Sequence, residues 1–197
     1  KNTGEGDLIF NGANDNATGV TAIIMLAEYF KKNKNNKRSI LFVAFTAEEM
    51  GLVGSTYFGK TIPAESIIAG VNIEMIGKDS PFGAKTAWLT GFERSNFGEI
   101  IQKNLSSSEY RLFPDPYKNY QLFFRSDNAS MARLGIPAHT FSTSPMDKDL
   151  DYHKVSDEAE TLNVVTITET IKAIARGISS VISGDDTPSR IILFPSK

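Results

Sequence analysis

The chain has no cysteine among its 197 residues. A disulfide framework and any thiolate metal site are therefore excluded, while the compartment stays open. It also lacks an excess of charge of either sign. Twenty-one Lys and Arg stand against 23 Asp and Glu, for a net charge of −2. Such a balance gives nucleic acid no electrostatic footprint, and no nucleic-acid partner is expected. Long hydrophobic runs are missing too. The longest are strand-sized, far short of the roughly 20 residues a membrane helix needs, so no membrane span is expected. No glycine-rich phosphate loop is present. Gly51, Gly54 and Ser55 do not make a nucleophile elbow, and Ser126 and Ser130 lack a well-placed histidine. The opening residues KNTGEGDLIF show no leader pattern and read as the middle of a loop. The chain is expected to be a fragment of something longer.

What remains is ordinary for a globular protein: 41% hydrophobic and 22% charged residues, enough for one domain with a sizeable core. Val20, Ile23, Ile24, Ala27 and Phe30 follow helical spacing and predict a helix over 17–32. Asp15, Asn16 and Thr18 are its candidate caps. The run KKNKNNKR that follows reads as a solvated turn. Ile40–Phe45 is apolar and β-branched, which predicts a strand over 39–46 buried on both faces. Further strands are expected at 67–76, 85–90 and 110–113, and another after Gly135-Ile136-Pro137 that ends near Phe141. Helices are expected near 52–60, at 96–105, 127–134 and 164–182. Residues 114–125 read as an aromatic-rich loop and 143–161 as a polar loop. Helices alternating with buried strands predict an α/β fold, a mostly parallel central sheet flanked by helices.

Four places put acids or a histidine at the ends of these elements. Asp15 sits at a helix start, Glu48 and Glu49 follow a strand, and Glu74 interrupts an Ile, Val and Met strand. His153 lies in a loop with Asp149, Asp151 and Asp157. Taken singly, each has an ordinary reading as a cap, a solvated helix start, a strand edge or a surface histidine. Together, carboxylates plus imidazole without thiols are the donor set of zinc or a similar divalent cation.

The stretches GANDNATGV (12–20), FTAEEMGLVGS (45–55), VNIEMIG (71–77), RSDNASMARLGIP (125–137) and DYHKVSDEAETLN (151–163) carry a resemblance. In order and context the sequence resembles the co-catalytic zinc exopeptidases of the aminopeptidase type, relatives of glutamate carboxypeptidases and glutaminyl cyclases. The resemblance implies a single catalytic peptidase domain over 1–197 that hydrolyses N-terminal bonds of a peptide substrate. It makes Asp15 a carboxylate bridging two metal ions, with Glu49 and His153 completing one site and Glu74 serving the other. Glu48 becomes the general base, its pKa raised toward the working range by burial and a neighbouring acid. Asp151 or Asp157 is expected to orient His153. Secretion or a periplasmic location is typical of such relatives.

The departures shape the expectation as well. The family's His-x-Asp motif and first strands do not occur in this chain. One Zn2+ site is therefore complete here, and the second lacks a histidine ligand. Glu74 stands where the family has an aspartate, and Asn128 where a histidine often follows Ser-Asp. A carbonyl-polarising tyrosine of some relatives falls near Phe123 or Phe124, which leaves Tyr120 or Arg125 to take its place. The substrate-binding set implied is thus Tyr120, Arg125 and Asn128. Two alternatives share the scaffold: a glutaminyl cyclase with a single zinc, and a binding domain without catalysis.

Overall fold

The computed structural model describes Gly6 and residues 8–191. Its elements are α1 (Thr18–Asn33), α2 (Val53–Thr61), β1 (Gly70–Ile73), β2 (Thr86–Leu89) and α3 (Phe97–Leu105), then β3 (Arg111–Pro114), α4 (Asn128–Ala132), β4 (Ala138–Ser142), α5 (Val164–Gly177) and α6 (Ser179–Ser183). The strands form one sheet in the order β1-β4-β2-β3. β1 runs parallel to β4 with Ile73 opposite Phe141, and β2 parallel to β3. β2 and β4 are antiparallel, with Trp88 opposite Ser142. The fold is α/β with a mostly parallel sheet flanked by helices.

Side chains alternate across a strand with a period of two, and that alternation divides the molecule. Ile73, Leu89 and Phe141 point to one face and join the main core with Leu26, Ile101 and Ile174 from α1, α3 and α5. Ala138 belongs to a smaller cluster on the other face, with Met131 of α4 and Phe58 of α2 packed against it. Asn72, Thr140 and Ser142 on that second face are polar. The Asn72 amide donates to the Thr140 hydroxyl at 3.0 Å across the β1–β4 ladder. These residues floor the site.

Helix ends follow local chemistry. Asn163 Oδ1 accepts from the N–H groups of Val165 and Thr166 at 3.0 and 3.2 Å, capping α5. The helix expected over 164–182 divides between α5 and α6. Asn104 Nδ2 donates to the Gly177 carbonyl and to Ser180 Oγ, each at 2.7 Å, and takes up the carbonyl where the helix breaks.

One expected strand is absent. Residues 39–46 form no strand and pair with none among the described residues. Leu41 is 65% exposed, so the run is not buried on both faces. An apolar, β-branched composition says that a segment suits a sheet; it cannot supply the neighbour whose backbone groups complete the ladder.

Candidate metal centre

The turn before α1 is held from several sides. Asn14, 1% exposed, accepts from the Gly77 N–H at 2.9 Å and donates to Ser144 Oγ at 2.8 Å. Both carboxylate oxygens of Asp157 accept main-chain N–H groups, from Asn14 at 2.8 Å and Asp15 at 3.0 Å. Asn16 Oδ1 accepts from the Gly19 N–H at 3.0 Å, the office of a helix cap. The Asp15 carboxylate is thereby left free to face outward from the helix start.

Glu48 and Glu49 lie in the turn that leads from residue 46 into α2. The Gly54 N–H donates to the Thr46 carbonyl at 3.0 Å, and a Cβ on Gly54 would lie 2.5 Å from that oxygen, so glycine is required there. Four non-glycine residues around the acids have left-handed backbones: Ala47, Leu52, Met75 and His153, with φ between 53° and 59°. Such conformations are uncommon outside glycine and cluster where surrounding structure enforces them. The Met75 carbonyl shows the enforcement. It accepts from Ser142 Oγ and Ser144 Oγ, each at 3.0 Å, and from the Thr143 N–H at 3.3 Å. Glu74 is fixed next to that clamp.

Three of these groups converge. His153 Nε2 lies 3.2 Å from Asp15 Oδ2 and 3.2 Å from Glu49 Oε1. One ligand atom from each of the three lies within 4.8 Å of the others. Asp15, Glu48, Glu49, Glu74 and His153 all line a single cavity of about 440 Å³. Glu74 lies outside the tight group of three but faces the same space.

Crowded, half-buried carboxylates hold on to protons. Burial, then the charge of Glu49, raises Asp15 to about 6. Burial, with Glu49, Asp127 and Asp15 nearby, raises Glu48 to about 7. Burial raises Glu74 to about 8, against a hydrogen bond from Ser126 that works the other way. A divalent cation among Asp15, Glu49 and His153 would supply the missing positive charge in place of protons. Two carboxylates and an imidazole are oxygen and nitrogen donors suited to zinc. The residues present therefore fit such an ion.

The other sequence-derived residues separate. Arg125 lines the cavity. Tyr120 stacks on Tyr117, 43% exposed, and is not among the lining residues. Asn128 is 2% exposed beneath the floor, where its amide donates to the Phe123 carbonyl at 3.0 Å and accepts from the Thr140 hydroxyl at 2.9 Å. Neither Asp151 nor Asp157 is bonded to the His153 ring. Asp157 holds the Asp15 turn, and Asp151 accepts from Lys78 and Ser156.

Sequence reasoning passed over Tyr152, which lines the cavity and stacks on the His153 ring at 3.8 Å. Burial raises its phenol to about 12, so it remains a donor at neutral pH. Its position immediately before His153 was the available signal. Trp88, Leu122, Phe124 and Met146 add an apolar wall. Trp88 projects from β2, two strands across the sheet from β1, which carries the chain into Glu74. At about 4.8 Å per strand, the backbone at Trp88 stands roughly 10 Å from β1.

The chain is similar to known proteins. An aminopeptidase of Pseudomonas aeruginosa is 30% identical over 145 residues, covering 66% of this chain and 25% of that protein. A zinc aminopeptidase from Bacillus subtilis shares the fold with a TM-score of 0.75 at 21% identity, over 93% of this chain and 45% of that one. A glutaminyl cyclase from Porphyromonas gingivalis superposes with a TM-score of 0.63 at 14% identity, over 88% of this chain and 67% of that one. The chain thus spans about a quarter of the curated relative and under half of the aminopeptidase structure. The model of one family, peptidase family M28, matches residues 2–178. With nearly the whole sequence matched and the fold shared with these proteins, the chain belongs to peptidase family M28.

Proposed function

We propose that this chain carries the zinc site and general base of an aminopeptidase, which removes N-terminal residues from peptides. The observation that carries the reading is the convergence of Asp15, Glu49 and His153, with Glu48 in the same cavity. Asp15, Glu49 and His153 would hold the ion, and Glu74 would offer a carboxylate to a second one. When bound, zinc supplies Lewis acidity and makes water a nucleophile at neutral pH.

The protein's own groups do the rest. Glu48, near 7, accepts the proton that water loses as its oxygen attacks the peptide carbonyl carbon. The Tyr152 phenol donates a hydrogen bond where the carbonyl oxygen gathers charge. As the C–N bond breaks, Glu48 returns its proton to the amine nitrogen. Trp88, Leu122, Phe124 and Met146 receive the side chain of the first residue, which favours large apolar residues.

The test is a metal analysis together with hydrolysis of aminoacyl anilides. One zinc per chain and leucyl- or phenylalanyl-anilide hydrolysis are expected; a protein that binds no zinc sinks the reading. The set of three ligands also suits a glutaminyl cyclase. Ring closure of an N-terminal glutamine peptide, without release of an amino acid, would select that alternative.

A further inference from the structure

Neither Asp151 nor Asp157 bonds to the His153 ring, so the loop behind the ring must be held by other contacts. Lys78, four residues beyond Glu74, has a side chain only 15% exposed. Its ammonium donates to Asp151 Oδ2 at 2.7 Å, to Thr161 Oγ1 at 2.8 Å and to the Thr161 carbonyl at 3.2 Å. Three protein acceptors match the three donors of a lysine, so this is no solvated surface charge. Asp151 is in turn the hub of its loop. Its other oxygen accepts from Ser156 Oγ at 2.9 Å. Its N–H donates to Asp149 Oδ1 at 3.0 Å, and its carbonyl accepts from the Lys154 N–H at 2.9 Å. That last bond closes a turn around Tyr152 and His153, the latter with its left-handed φ of 58°. Asp149 also accepts from the Asn14 amide at 3.3 Å, which links the loop to the Asp15 turn.

We infer that Lys78 is a positioning residue for the cation site: by anchoring Asp151 it fixes the turn that aims Tyr152 and His153 into the cavity. The inference rests on the proposed zinc site and assigns its geometry to a charge outside the ligand set. A charge-assisted bond between part-buried partners is short and directional, which suits a brace. Groups that orient metal ligands typically change metal affinity 10–100-fold when removed.

The experiment is zinc titration in competition with a metallochromic chelator. Lys78→Met keeps the stem and removes the ammonium. It should weaken zinc binding by about 10–100-fold, while the circular dichroism and melting temperature of the metal-free protein stay close to wild type. Asp151→Asn should act in the same direction. The double variant should be no weaker than Lys78→Met alone, since the Lys78–Asp151 contact is already lost in that variant. Lys78→Arg, which keeps a cation, should restore most of the affinity. Should Lys78→Met fail to fold, Asp151→Asn and Lys78→Arg decide the matter through the same titration. Zinc affinity unchanged in Lys78→Met and Asp151→Asn, or losses that add in the double variant, overturns the inference alone. A wild-type protein without zinc affinity overturns the proposed function and this inference with it.

Discussion

Phe141 and Ser142 are consecutive residues of β4 that serve opposite faces of one sheet. On Phe141's side lie Ile73 and Leu89, 6% and 0% exposed, packed under α1, α3 and α5. On Ser142's side lie Asn72, Trp88 and Thr140, beneath the acids and His153. The first face is bonded by dispersion and the exclusion of water. The second is bonded by directed contacts among hydroxyls and amides, and it tolerates raised carboxylate pKa values. Cohesion and chemistry are thus separated by one residue of strand. Changes on one face should leave the other largely untouched.

Glu48→Gln probes the cavity side. Losing a positioned general base should lower kcat by about 10²–10⁴-fold while zinc stoichiometry and melting temperature hold; a variant that melts early as well would break the separation. Phe141→Ala probes the core side. Emptying a phenylalanine site costs about 3–5 kcal/mol, which at about 2–4 °C per kcal/mol for a chain this long is a large drop in Tm. Zinc affinity in the remaining folded fraction should be retained.

Zinc itself should act from the cavity side on the whole fold. At 100 times its Kd it should add about 2.7 kcal/mol by mass action, read as a rise in Tm that disappears in His153→Ala. A rise that persists in that variant would place the ion elsewhere.

The smallest effect is on the pH dependence of the metal-free protein. Asp15 near 6, Glu48 near 7 and Glu74 near 8 lie above unfolded carboxylates at about 4. The folded state therefore binds more protons. Its added stability is complete below the unfolded values and is lost as pH rises through about 6–8. Melting temperature should fall from about pH 5 to pH 8 on account of these groups, and zinc should flatten the slope. A metal-free protein that grows steadily more stable over that range would contradict the burial of these acids.

Much of the scaffold was legible because spacing records burial. The stripe through Val20, Ile23 and Phe30 gave α1 to within a residue at each end. The strand expected to follow Gly135-Ile136-Pro137 and end near Phe141 is β4, Ala138–Ser142. Residues 39–46 were misread because pairing depends on a neighbour that composition does not encode. At the site, the motifs named the acids and the histidine that share the cavity. They could not show how those groups are held. Asp151 and Asp157 were read as partners of an imidazole, yet their oxygens take a lysine, a hydroxyl and main-chain N–H groups. Asn128 sat in a suggestive place after Ser-Asp, but a small amide there satisfies a carbonyl and a threonine under the floor. Such offices depend on distances between segments far apart in sequence.

Trp88 has a consequence beyond packing. It is the chain's single tryptophan, 2% exposed, with its indole N–H donating to the Ser144 carbonyl at 3.2 Å and the Tyr117 ring against it at 5.8 Å. Light absorbed selectively by tryptophan is therefore emitted from one spot, the inner wall of the cavity. Occupancy of that space by an amino-acid amide should register directly as a change in emission, before any bond is cut.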